Sequence, residues 1–176
     1  MERRNKNKRW IQLSKEKKRS VNLVNLGIPG GTTQTVIDDE LSQAVMANPD
    51  VVTLVIGVND IHSFVSTKIV VAHLNIILQT LTEKTHARIL VTTIPFIGTH
   101  RIFYPPYFWY YHWQTKRYNS AIQSVLHRYL VTVVDLYTEN FTALNSNPKY
   151  YSRDSFHPNV AGYQLWAQFL YDNFRK

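Results

Sequence analysis

The chain contains no cysteine. Disulfides, thiol chemistry and thiolate metal sites are thereby excluded, and since a cysteine-free chain folds in either redox compartment, localisation stays open. It has no apolar run long enough to span a membrane; the longest are strand-sized. Its first residues hold no apolar stretch that could act as a signal peptide. It shows no internal repeat, no low-complexity tract and no metal-binding motif. Acidic residues are scarce at one end only: residues 1–20 hold nine Lys/Arg and two acids, a net of +7, whereas residues 21–176 hold eleven and ten, a net of +1. The overall +8 therefore belongs to a basic arm and not to the body, and no nucleic-acid partner is expected of residues 21–176. The arm, residues 1–20, reads as a solvated, poorly ordered leader; binding to phosphate or anionic lipid is the alternative for it.

What remains is globular. At 176 residues, 44% hydrophobic and 13% aromatic, the chain suits a single domain, placed at 21–176, with a core of its own. Short β-rich runs alternate with helical periodicity. The runs Val21–Leu26, Val51–Ile56, Arg88–Ile94 and Val131–Leu136 predict strands. The nearly continuous apolar run Val51–Ile56 predicts a strand buried on both faces of a parallel sheet. Helices are predicted over about Thr33–Ala47, Val70–Leu81, Trp113–Tyr129 and Asn159–Phe174, with a Pro- and aromatic-rich loop reaching to about Tyr111. Such alternation implies a three-layer α/β/α sandwich with a parallel sheet.

Three constellations carry candidate chemistry. In Asn25-Leu26-Gly27-Ile28-Pro29-Gly30-Gly31-Thr32-Thr33 a strand runs into a Gly-rich turn before a helix. Glycine lets a backbone N–H approach a ligand, and a helix start favours negative charge; such turns also simply connect elements. Gly57-Val58-Asn59-Asp60 ends a buried strand, where ligands sit in parallel sheets. Asn59 can offer its amide to an oxyanion there, or close the strand as an Asx-turn. In Asp154-Ser155-Phe156-His157-Pro158-Asn159 the Asp can orient the His as a general base. The same residues can equally form a capping network for the following helix.

In this order and on these elements, Asn-x-Gly-x-x-Gly, Gly-x-Asn-Asp and Asp-x-x-His-Pro resemble the SGNH/GDSL-type hydrolase family over residues 21–176. Tyr118-Asn119-Ser120-Ala121-Ile122, ahead of a strand ending in Asp135-Leu136, adds to the likeness. The resemblance implies a flavodoxin-like sheet and serine ester hydrolysis through an acyl-enzyme, without a cofactor. It implies roles for four residues: Gly30 and Asn59 as oxyanion-hole donors, His157 as general base and Asp154 as its orienting carboxylate. Gly27 matches a structural turn position. The substrate implied is a small-molecule, lipid or carbohydrate ester, acyl or acetyl.

The sequence departs from the family at its first block, Gly-Asp-Ser, which does not occur; the earliest glycine is Gly27. Ser14 and Ser20 follow no strand-like run, so no nucleophile is assigned. Trp10, Ile11 and Leu13 resemble the end of the family's first helix, and the chain is expected to start after the nucleophile block. The sheet is then expected to lack its first strand, which in the family lies between the strands at Asn25 and Val51. Those two edges either pair directly or are filled by the basic arm, and reduced stability is expected. An inactive or weakly active hydrolase follows; the alternative is a binding module that keeps the ester or glycan pocket. The aromatic run Phe103–Tyr111 either lines an acyl or sugar subsite or packs onto the body. His62, close after Asn59, faces the pocket or the surface. His73, His86, His100, His112 and His127 carry no metal-ligand spacing.

Overall fold

The computed structural model describes residues 20–96, 103–143 and 147–175. The basic arm and Ser14 lie outside the described residues, except for Ser20 at their edge. A parallel three-stranded sheet, ordered β1-β2-β3, comprises β1 (Val51–Leu54), β2 (Arg88–Thr92) and β3 (Thr132–Val134). Val51 aligns with Arg88, and Leu90 with Thr132. The first helix starts as α1 (Thr33–Thr35), passes through a π-helical turn (Val36–Glu40) and continues as α2 (Leu41–Met46). Short α3 (Val58–His62) follows β1, and α4 (Thr67–Lys84) leads to β2. α5 (Tyr107–Leu126) leads to β3, then come α6 (Leu136–Ala143) and the closing α7 (Val160–Phe174).

Side-chain alternation decides the layers. In β2, Ile89 and Val91 join the large core formed with α4 and α5, while Leu90 points into a second cluster with Val134, Leu136 and Trp166, Phe169, Leu170 and Phe174 of α7. The sheet is thus covered on both faces at β2 and β3. α4 extends beyond its predicted limits because the Ser66 hydroxyl accepts from the Ile69 N–H at its start. Val70, Leu74, Ile77, Leu78 and Leu81 form its buried stripe.

Two expectations fail at the N-terminal edge. Val21–Leu26 is not a strand: residues 20–28 have no regular secondary structure, pair with no strand among the described residues, and expose Val21, Leu23, Val24 and Ile28. Direct pairing with β1 therefore does not occur. A strand needs a partner for its backbone groups, and none of the described residues supplies one. The run at Val51 is also not buried on both faces. Leu54 is buried in the larger core, but Thr53 and Val55, which point the other way, are exposed. α7 covers β2 and β3 on that side and reaches β1 only at Val51, at its start.

The aromatic loop is shorter than predicted. α5 begins directly after Pro106, so Tyr107–Tyr111 are helical. Phe108 is buried, Phe103 and Tyr111 pack on the larger core, and Tyr104, Tyr107, Trp109 and Tyr110 are exposed. No helix among the described residues is long and apolar enough to cross a membrane.

Candidate active site

The Gly-rich turn and α3 are joined by side chains from Gly57-Val58-Asn59-Asp60. Gly57 turns the chain out of the strand with φ 109°, and a Cβ there would lie 2.7 Å from Ile94 Cδ1, so both backbone and packing require glycine. The turn places Asn59 and Asp60 against the start of α1. Asn59 Nδ2 donates to the Gly31 carbonyl at 2.9 Å. Asp60, fully buried, accepts the Thr33 N–H at 3.0 Å and the Thr33 hydroxyl at 2.6 Å. That hydroxyl also meets His73 Nδ1 at 2.9 Å; since its own proton goes to Asp60, it accepts from His73.

Gly30, next to Gly31, has φ 77° and no heavy atom within 4 Å of where a Cβ would stand. Its turn is closed by the Gly31 N–H on the Ile28 carbonyl at 3.0 Å and held from outside by Glu40, which accepts the Ile28 N–H at 3.1 Å. Gly30 and Asn59 are thereby brought together through Gly31. One Nδ2 hydrogen of Asn59 is bound to that carbonyl and the second has no partner among the described residues.

His157 and Asp154 form the second half. His157 Nδ1 lies 2.7 Å from Asp154 Oδ2, and both side chains are about half exposed or more. Asp154 Oδ1 accepts the backbone N–H groups of Phe156 at 2.9 Å and His157 at 3.0 Å. The His157 ring hydrogen bond, followed by these two backbone bonds, holds the Asp154 carboxyl down at about 2. With Nδ1–H donating to that carboxylate, Nε2 is the basic nitrogen. The capping reading of this block is realised as well. Asn159 Oδ1 accepts from the N–H groups of Ala161 and Gly162, and Asn159 Nδ2 donates to the Lys149 and Tyr151 carbonyls. Asn159 thus fixes the loop that carries His157 to the start of α7.

Aromatic rings connect the halves. Phe156, beside His157, packs edge-on against His62 of α3 at 5.4 Å between centroids; His62 in turn meets Tyr111 at 5.1 Å, and Tyr111 meets Phe103 at 4.6 Å. His62 therefore faces this cluster and not open solvent, and burial lowers its pKa. Its Nε2 has no hydrogen-bond partner among the described residues. A shallow groove of about 250 Å³ at the carboxyl ends of β2 and β3, lined by Thr93, Lys116, Asn119, Asp135 and Tyr137 among others, holds none of the four candidate residues. Among the described residues no cluster of His, Asp and Glu suits a metal ion.

A model of the GDSL-like lipase/acylhydrolase family matches residues 3–165. The chain belongs to this family. The family is one of lipases and acylhydrolases, that is, of ester hydrolases. Among solved structures it is similar to Axe2, an acetylxylan esterase from Geobacillus stearothermophilus, with a TM-score of 0.69 and 21% identity over 93% of this chain and 77% of that one. It is also similar to LAE5, an alpha/beta hydrolase enzyme from the metagenome of Lake Arreo, Spain, with a TM-score of 0.75 and 19% identity over 94% of this chain and 78% of that one. At such identities the likeness concerns the fold, and the fold agrees with the α/β sandwich read from the sequence. No curated protein matches the sequence.

Sequence reasoning missed three supports of the site. Thr33 was seen only as a helix start, yet it receives Asp60 from 27 residues away. Phe156 was seen only as a spacer. Asn119, noted for resemblance alone, clamps the end of β2 by accepting the Ile94 N–H at 2.7 Å and donating to the Ile94 carbonyl at 2.9 Å. An amide side chain at a helix position opposite a strand end is the only trace of this in the sequence.

Proposed function

We propose that the chain is an ester hydrolase of acyl or acetyl esters whose base and oxyanion donors are in place and whose serine nucleophile is not among its Gly-x-Asn-Asp and Asp-x-x-His-Pro blocks. His157 Nε2 acts as general base, Asp154 holds its tautomer, and Gly30 N–H with the free Asn59 Nδ2 hydrogen receives the oxyanion. The observation that carries this reading is the Asp154–His157 pair at 2.7 Å, held in a loop whose Phe156 packs on the helix bearing Asn59.

Because the sequence contains no Gly-Asp-Ser, the chain as it stands hydrolyses esters weakly. His157 takes a proton from water, the hydroxide adds to the ester carbonyl carbon, and the oxyanion forms between Gly30 and Asn59. The carbon–oxygen bond to the alcohol then breaks, and the proton passes from His157 to the departing alkoxide. Without a serine nucleophile such a site retains about 10³–10⁴-fold over water. Likeness to an acetylxylan esterase makes acetylated xylo-oligosaccharides the first substrates to try.

The same absence of Gly-Asp-Ser favours a second reading, a module that binds an ester or glycan without turning it over. A fluorophosphonate probe, read by intact mass with His157→Ala as control, tests the proposal alongside p-nitrophenyl acetate hydrolysis. No adduct, with slow hydrolysis lost in His157→Ala and in Asn59→Ala, is the expected result. A stoichiometric, His157-dependent adduct reveals a serine nucleophile and overturns the weak-hydrolase reading. Ligand binding with no hydrolysis above the His157→Ala background favours the binding module.

A further inference from the structure

The outer face of α5 is not that of an ordinary surface helix. Its inner face buries Phe108, Thr115, Tyr118, Ile122 and Val125. Opposite, one turn apart, Trp109 and Trp113 are 64% and 56% exposed, flanked by Tyr107 at 65% and by exposed Tyr110. Tyr104, just ahead of the helix, is exposed too. The next turn of the same face carries Lys116 and Arg117, both exposed. The Arg117 guanidinium sits 5.6 Å over the Trp113 ring, and neither cation forms an ion pair among the described residues.

A soluble surface rarely gathers this much aromatic area in one place. Indole and phenol rings, with an apolar body and a polar tip, suit the headgroup level of a lipid bilayer, and neighbouring Lys and Arg draw such a face to anionic lipid. The charge pattern of the chain agrees: from Lys84 to Val134 there is no Asp or Glu, and six Lys/Arg are present. A glycan platform would instead call for carboxylates beside the rings to accept sugar hydroxyls, and α5 itself contributes none.

We infer that the outer face of α5 docks on an anionic phospholipid surface, with Trp109, Trp113 and Tyr107 entering the headgroup layer and Lys116 and Arg117 pairing with lipid phosphates. The inference stands apart from the hydrolase reading, since it needs no turnover. The docked helix is nevertheless the one whose Tyr111 packs on His62, so docking would bring the candidate site to the lipid surface.

Co-sedimentation of the full chain with phosphatidylcholine vesicles, with and without about one third phosphatidylglycerol, tests it at about 0.1 M salt. The chain is expected to bind the anionic vesicles preferentially. W109A/W113A should lose about tenfold or more in partition, and K116Q/R117Q should lose the preference for phosphatidylglycerol; all four side chains are exposed, and circular dichroism verifies that the variants fold. Equal binding to neutral and anionic vesicles overturns the inference. So does undiminished binding of W109A/W113A, which would assign the effect to the basic residues 1–20. Absence of vesicle binding combined with Trp-dependent retention on acetylated xylan overturns it in favour of a glycan platform.

Discussion

Arg88–Thr92 and Val21–Leu26 are similar in composition and opposite in outcome. The first, with Ile89, Leu90 and Val91, is the central strand, bonded to β1 on one side and β3 on the other and buried on both faces. The second, with Val21, Leu23 and Val24, has no regular secondary structure, is exposed, and pairs with no strand among the described residues. β-branched and apolar residues make a segment ready to be a strand; neighbours that satisfy its backbone and cover its faces make it one. The contrast continues along β1 and the residue after it: Leu54 is buried, while Thr53 and Val55, beyond the contact that Val51 makes with the α7 cluster, are exposed.

The sharpest test of this contrast is the central strand. Leu90→Ala removes a fully buried side chain from the cluster that joins the sheet to α7 and should cost about 3–4 kcal/mol, read from urea unfolding followed by circular dichroism. A loss under about 1 kcal/mol would mean that the α7 face is not part of the cooperative unit. Next comes the point where the N-terminal region is tied down. Asp60→Ala leaves the Thr33 N–H and hydroxyl without their acceptor in a buried site and should cost about 2–3 kcal/mol. Asp60→Asn, which keeps an acceptor oxygen, should recover part of that loss. If both variants were neutral, the Gly-rich turn would be as loosely held as residues 21–26.

These comparisons mark what the sequence could and could not tell. The α/β class, the helix at Thr33, the one read over Val70–Leu81 and the strands at Val51, Arg88 and Val131 were legible because each has its own periodicity, and the flavodoxin-like order came from the family resemblance alone. Gly57 was legible as a turn, and the Asp154–His157 pair as a pair, because partners three residues apart on a loop meet through local geometry. The pairing state of Val21–Leu26 was not legible, since it depends on what stands beside it. The start of α5 was set too late because aromatics behind two prolines read as loop. Thr33–Asp60 and Phe156–His62 escaped because their spacing in the chain carries no period; only the fold makes them neighbours. His62 was seen, but whether it faced the cluster or solvent was left open by its sequence.

That burial gives a smaller, pH-dependent test. His62 has its pKa lowered below the ordinary 6.5 by desolvation. As pH falls from 6.5 through the folded value, the unfolded chain takes up a proton that the folded chain refuses, so stability is full above 6.5 and declines across that window. His62→Gln, which cannot titrate, should flatten the dependence of Tm on pH between about 6.5 and 5. An unchanged slope would place the proton elsewhere and would mean that His62 is solvated.

The smallest effect belongs to the segment that opened the comparison. Leu23 and Val24 are each about half exposed and contribute to neither core cluster. Leu23→Ser and Val24→Ser should therefore change stability by less than about 0.5 kcal/mol, and the amides of residues 21–26 should exchange with solvent far faster than those of Arg88–Thr92. The near-zero result carries information because serine at an equivalent depth in β2 would be ruinous. If either substitution instead cost about 2 kcal/mol, residues 21–26 would be paired and buried in solution, as a fourth strand of the sheet would be. β1 would then have a neighbour on its open side, and the difference between the two regions would disappear.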